Sequence, residues 1–236
     1  MSESNAALFL EKYREMEYCI RSKYHLDHFA SAVAFLEKHA EFTEIEEDLK
    51  YCREVRNLLT HKPQVHKQYC VEPSYEMIEL IEHVIETLEK PPVIMDIAVP
   101  VSKILYKDYS SNFIDTLKEM NERSFGNVPI LQDGIVQGVL SEKAIVNFIV
   151  QEDQFHLSKE LTLNDIKNYL SLENDRKEYY RFVKKDSLIS EVSELFHDGI
   201  NKGARIGMVF ITKNGRKEEK LLGIVTAWDL AARKEK

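Results

Sequence analysis

The sequence predicts an α+β protein: an N-terminal four-helix-type bundle, followed by a pseudo-two-fold tandem of strand-helix-strand-strand-helix repeats. Three observations predict it. Apolar residues recur at helical spacing from Asn5 to Glu89. Lys90-Pro91-Pro92 then ends that pattern and stiffens the chain. Beyond Pro92, short apolar runs alternate with helices in two copies of one order, and internal repetition is hard to obtain by accident.

The helices can be taken in turn. Leu8, Phe9, Tyr13, Met16 and Ile20 mark the first, and Phe29, Val33, Phe35 and Leu36 the second. The third runs from about Thr43 to His61 with Ile45, Leu49, Cys52, Val55 and Leu59 on one face, and stops before Pro63. The fourth starts after Pro73 with Ser74 as its N-cap, and Met77, Ile78, Ile81, Val84, Ile85 and Leu88 form its buried stripe. Short connections between amphipathic helices fit a small bundle over residues 1–90.

The repeats follow, over 93–163 and 164–236. Residues 128–149 read as strand, Asp-Gly turn, strand and helix, and residues 208–233 read the same way with an Asn-Gly turn. Upstream of the first lie a strand over Lys103–Tyr106 and a helix with Phe113, Ile114, Leu117 and Met120. Upstream of the second lie Tyr180–Val183 and a helix with Leu188, Val192, Leu195 and Phe196. Gly138 and Gly223 fall in corresponding places.

In the second copy, LLGIVTAWDLA sets Thr226 and Asp229 three residues apart where an apolar strand gives way to a helix. Thr-x-x-Asp opening a helix is a capping-box pattern. The same position offers free N–H groups and a hydroxyl to an anion such as a phosphate. Both readings stand at this stage. An ionised carboxylate would accept two hydrogen bonds from a cis-diol, and such charge-assisted bonds are stronger than neutral ones.

The residues Val128-Pro129-Ile130 with Gly138-Val139-Leu140-Ser141, and Gly223-Ile224-Val225-Thr226-Ala227-Trp228-Asp229-Leu230, resemble paired cystathionine-β-synthase-type (CBS) domains, a Bateman module, over roughly residues 93–235. The second copy is the better match. The resemblance implies clefts that bind an adenosyl ligand such as AMP, ADP, ATP, S-adenosylmethionine or cyclic di-AMP. It implies that the acid at Asp229 takes the ribose hydroxyls and that the hydroxyl at Thr226 faces the phosphates. Phe182, Ile206 and Met208 could sandwich the purine or be plain core. Lys184, Lys202 and Arg205 could neutralise phosphate or be solvated surface cations. In the first copy Ser141 keeps the hydroxyl, but Ala144 stands where the acid would be. One competent nucleoside site is therefore expected.

The third predicted helix ends in Arg56-Asn57-Leu58-Leu59-Thr60-His61, which resembles the HEPN signature, a family with many metal-independent ribonucleases acting as dimers. The resemblance implies His61 as proton shuttle and Arg56 as stabiliser of phosphate charge. Arg53, Lys62, His66 and Lys67 make the 52–67 stretch locally basic, as an RNA backbone would favour. Residues five apart on a straight helix point about 140° from each other, so the pair needs a loosened helix end or a second subunit to converge. The alternative pairs Arg56 with an acid of the Glu44–Asp48 run and leaves His61 at the helix C-terminus.

Composition sets bounds on the rest. A formal charge of −8 over 236 residues argues against a surface that coats nucleic acid broadly. The N-terminus lacks a basic, apolar leader, and no stretch is long and apolar enough to span a membrane. Three cysteines, Cys19, Cys52 and Cys70, form no CxxC, which reads as a reduced, cytoplasmic protein. His25-Leu26-Asp27-His28 lacks a third ligand, so no metal site is predicted. No phosphate-binding GxxxxGK[ST], GxGxxG or GxSxG occurs. The expectation is a nucleotide-sensing regulatory protein, dimeric if both domains self-associate, that adjusts its helical domain or docks a protein partner. The alternatives are a nucleotide-regulated ribonuclease and a non-catalytic dimerisation or docking protein.

Overall fold

The protein is a mixed α/β chain in the computed structural model, which describes residues 4–27, 31–36, 42, 45–61, 69, 71–151, 158–172, 178–201 and 205–232. It divides into two compact units, Met1–Pro92 and Val93–Lys236. Among the described residues, no helix is long and apolar enough to cross a membrane, and no three metal-ligating side chains gather.

The first unit is helical. Helix α1 (Asn5–Tyr24) buries Ala6, Phe9, Tyr13, Met16 and Ile20, steps of three and four that keep one stripe on one face. Its open N-terminus is capped from far along the chain: Glu72 accepts the Ala6 N–H at 2.9 Å and the Ser4 hydroxyl at 2.7 Å. Those two bonds, the hydroxyl's first, hold the Glu72 carboxyl below its usual range. Helix α2 (Ala32–Leu36) is a short turn and a half, and α3 (Glu46–His61) opens on Glu46, Glu47 and Asp48, which suit the positive end of the helix. Helix α4 (Tyr75–Glu89) buries Ile78, Ile81, Val84, Ile85 and Leu88. Ser74 occupies the N-cap position, but its side chain caps nothing; its carbonyl accepts the Met77 N–H instead. The stripes of all four helices share one apolar cluster.

In the second unit, a single 3-10 turn (Ile94–Asp96) leads to β1 (Val99–Pro100) and a second turn (Val101–Lys103). The predicted strand over 103–106 is not formed. Its place is taken by one parallel bridge, Lys107 to Ile130, because the preceding segment is drawn into the 3-10 turn and the β1 pairing. Helix α5 (Phe113–Arg123) is capped by Asn112, which accepts the Asp115 N–H at 3.0 Å. Strands β2 (Asn127–Gln132) and β3 (Ile135–Ser141) form a hairpin whose turn, Asp133-Gly134, has φ of 54° and 82°. Two positive φ values are what a tight primed hairpin turn requires, and Asp-Gly supplies them. Helix α6 (Glu142–Gln151) follows.

A crossover through α7 (Ile189–Asn201) lets β4 (Glu178–Lys184) lie parallel to β5 (Arg205–Thr212). Strand β6 (Gly223–Val225) pairs antiparallel with β5 and leads into α8 (Ala227–Ala231). The predicted Asn-Gly hairpin is looser than its Asp-Gly counterpart. Asn214 and Gly215 sit in a long connection gripped by Glu219, which accepts the Asn214 backbone N–H at 2.7 Å.

Each half of this unit is completed by the leader of the other. Strand β1, ahead of α5, pairs with β6, giving the sheet order β1-β6-β5-β4. Leu170, ahead of β4, accepts the Val139 N–H of β3 at 2.9 Å. The leaders start alike: Asp96 accepts the Val93 N–H at 2.9 Å, and Asp165 accepts the Thr162 N–H at 2.8 Å. They are then tied alike, Ile94 N–H to the Ser187 carbonyl at 2.7 Å and Leu163 N–H to the Ser111 carbonyl at 3.0 Å.

The two glycines at corresponding places now have a physical reason. A Cβ on Gly138 would sit 2.3 Å from the Leu170 carbonyl oxygen, and one on Gly223 would sit 2.8 Å from that of Val99. Neither distance is tolerable for a carbon, so any side chain at these positions would push the crossing leader off its sheet.

Candidate ligand-binding junction

Strand β6 is three residues long and buried throughout, so Thr226 emerges at the end of a fixed ladder. Val209 stands opposite Val225, and continuing the ladder by one residue sets Met208 opposite Thr226. Alternation puts Thr226 on the face of Ile224. That face belongs to the apolar cluster holding Met208, Phe210 and Ile224, with Phe182 packed against it.

At the junction itself Asp229 turns back on Thr226. Its Oδ2 accepts both the Thr226 N–H and the Thr226 hydroxyl, each at 2.7 Å. This is the capping reading in atomic form, and the same arrangement occurs elsewhere in the chain. Asp165 Oδ2 accepts the Thr162 hydroxyl at 2.7 Å as well as its N–H, in a leader segment away from any strand end. The box alone is therefore generic. What distinguishes Asp229 is its place: it is half-buried at the end of a sheet strand where Asp165 is exposed, whereas in both boxes Oδ1 has no hydrogen-bond partner among the described residues. Helix α8 has only five residues, so its dipole adds little, and the carboxylate and hydroxyl are the chemistry on offer.

The remaining predicted residues divide. Met208 and Phe182 share the Thr226 face, and the Phe182 ring lies 5.1 Å from that of Phe210. Ile206 does not share it. The ladder skips Gly207 between Tyr179 and Tyr180, which turns Ile206 into the opposite cluster with Val209, Ile211 and Val225. A purine cannot be held between Ile206 and Met208 from one side of the sheet. Arg205 begins β5, at the end where Thr226 emerges, and is exposed. Lys184 ends β4 opposite Thr212, four residues and about 13 Å along the strands from the Met208 level. It lies 3.8 Å from Asp186, so it serves the far end of the sheet. Lys202 lies outside the described residues.

The first junction is built differently. Ser141, 7% exposed, accepts the Ala144 N–H at 3.0 Å, so its hydroxyl oxygen is committed as an ordinary helix cap. Asn127 is its cross-strand partner and accepts the Tyr180 hydroxyl at 3.0 Å. Tyr180 was missed in the sequence. It stands beside Met208 in the β4–β5 register and so joins the surroundings of Thr226 to those of Ser141. Nothing in its local pattern separates it from an ordinary strand tyrosine.

In the helical unit, Arg56 is half-buried with its guanidinium carbon 5.7 Å from the centre of the Tyr13 ring, and it donates to the Asn57 side chain at 3.1 Å. Among the described residues it makes no ion pair, so pairing with Glu46, Glu47 or Asp48 is not found; Glu44 lies outside the described residues. Burial pushes the Tyr13 hydroxyl up to about 12, and burial likewise pushes the neighbouring Cys52 thiol up to about 12, so both stay neutral packing groups. His61 is the exposed last residue of α3. Lys62, His66, Lys67, His28 and Cys70 lie outside the described residues.

No protein-family model matches the sequence, and no curated protein matches it. Solved structures similar to it are CBS-domain proteins, over about three-fifths of this chain. A CBS-domain-containing protein from Bacillus anthracis is 11% identical, with a TM-score of 0.45 over 61% of this chain and 94% of its own. CBSX2 in complex with AMP is 13% identical, with a TM-score of 0.43 over 60% and 94%. CbpB in complex with c-di-AMP is 10% identical, with a TM-score of 0.46 over 61% and 85%.

Proposed function

We propose that residues 93–236 form a tandem CBS pair that senses an adenosyl ligand at the β6–α8 junction, and that residues 1–90 form a HEPN-like helical bundle whose conformation or dimer geometry the ligand biases. The observation that supports this most is the place of the Asp229 carboxylate, half-buried at the end of a sheet strand beside an apolar face that includes Met208 and Phe182, with Oδ1 unpartnered among the described residues. A ribose cis-diol has two donors to offer such a carboxylate. The Thr226 hydroxyl gives its proton to Asp229, so its oxygen can still accept a hydrogen bond from the ligand. Ser141 and Ala144 offer no carboxylate, so the reading allots the nucleoside to the second cleft alone. Regulation is then a population shift between arrangements of the two repeats.

The test is titration of the full chain with AMP, ADP, ATP, S-adenosylmethionine and cyclic di-AMP. Trp228 is the sole tryptophan, 83% exposed and adjacent to Asp229, so its fluorescence reports the site alongside calorimetry. Saturable binding weakened by about 1 kcal/mol or more in Asp229→Ala supports the reading, the size being that of a charged hydrogen bond. Binding of none of the five refutes it and leaves Thr226 and Asp229 as a cap.

A second reading, metal-independent RNA cleavage, is favoured by an Arg56 with no ion pair among the described residues and an exposed His61 on one helix end. It requires a partner subunit to bring the two side chains together. Cleavage of a mixed RNA substrate that disappears in His61→Ala would establish it, and unchanged RNA would dismiss it.

A further inference from the structure

The two leaders begin on matching hydrogen bonds and cross corresponding glycines, but they differ in what they are attached to. The leader on β3 follows the connector within the second unit, whereas the leader on β6 follows directly from Lys90-Pro91-Pro92 and α4. Strand β6 is also the one that ends in Thr226. The cleft that keeps its carboxylate is thus the cleft whose sheet receives the chain arriving from the helical unit.

We infer that the segment Val93–Val101 is the transmission element of the molecule: a ligand at Thr226 and Asp229 tightens its pairing on β6, and loss of the ligand lets it loosen. The inference rests on the proposed ligand site. Its anchors are specific. Val99 and Pro100 pair with Ile224 and Gly223, the Val101 N–H donates to the Leu222 carbonyl at 3.1 Å, and Ile94 is fully buried against Val192, Val209 and Val225. Only two residues pair in β1, so its opening costs far less than opening the β4–β5 ladder. A bound group that fixes Thr226 fixes the end of β6 and with it the surface on which Val99 lies. By linkage, whatever steadies the leader must also raise ligand affinity. Two consecutive prolines leave the chain before Val93 little slack to absorb the change.

Amide hydrogen exchange on the full chain tests this, with each of the five ligands that the titration shows to bind added at saturation. The expected result is slowing by about five-fold or more at Ile94 and Val101, with Leu163 of the other leader and the β3 amide of Val139, which donates to that leader's Leu170 carbonyl, unchanged. Asp229→Ala should abolish the slowing. Ligand binding that is sensitive to Asp229→Ala but leaves Ile94 and Val101 unchanged, or protects both leaders equally, overturns the inference while the ligand site stands. Absence of binding by all five ligands of the titration overturns both.

Discussion

At the end of β3 a buried serine caps the helix by accepting the Ala144 N–H; at the end of β6 a half-buried threonine is held by Asp229, one of whose oxygens has no hydrogen-bond partner among the described residues. The strands leading to the two junctions are seated alike, each on a glycine crossed by a foreign carbonyl. Where the halves agree, the shared feature answers to packing, since both leaders need the same close approach. Where they differ, the difference sits in one side chain that packing does not demand. The comparison separates what holds this unit together from what gives its second half a chemistry of its own.

The anchors of the two leaders should be the most costly to remove. Ile94→Ala and Leu163→Ala each empty a fully buried site, and each should lose about 2–5 kcal/mol in urea unfolding. A large loss at one and none at the other would break the equivalence of the leaders. Next come the seats. Gly138→Ala should destabilise by about 2–3 kcal/mol and Gly223→Ala by about 1–2, the order following the 2.3 Å and 2.8 Å approaches. Reversal of that order in the same unfolding experiment would mean that the leader on β6 is the tighter of the two.

Smaller effects distinguish the two Thr-x-x-Asp boxes. Asp165→Ala and Asp229→Ala should lower Tm by similar small amounts, since each removes the same pair of bonds to a threonine. Only Asp229→Ala should change ligand titration. Loss of binding in both would mean that the effect is structural rather than local.

The smallest effect concerns the hairpins. Hydrogen bonds from the Asn214 side chain and backbone hold the Glu219 carboxyl at about 2, against an ordinary 4.5. A depressed carboxyl contributes stability fully above its unfolded value, and that contribution fades as pH falls from 4.5 toward 2. Glu219→Gln should therefore flatten part of the acid limb of a Tm-against-pH curve and change little at pH 7.

The sequence made the helices and the doubled strand pattern readable because each is a local signal: apolar steps of three and four in α1, and short apolar runs ended by turn residues in β2 and β5. The leaders were not readable. Val93-x-x-Asp96 and Thr162-x-x-Asp165 are short turns whose stability comes from pairing with the distant half, and no local pattern reports that. The strand expected at 103–106 failed for the same reason, its neighbours being claimed by β6. At the site, Thr226 and Asp229 stood out by type and spacing. The facing of Ile206 turned on a skipped residue in a ladder, and the position of Lys184 on which strand end meets which, neither of which composition encodes.

The crossing of β1 onto β6 also fixes an order of events at the ribosome. Val99 and Ile224 lie more than half the chain apart, so Val99 is synthesised long before its partner exists. Until β6 emerges, the leader has no sheet to join, and β5 presents an open edge to any strand nearby. The second unit can close only when nearly all of its residues have been made, while the helical unit can finish early. A newborn chain therefore passes through an interval in which a completed helical unit trails an unclosed sheet, and that interval is when it most needs protection from its own neighbours.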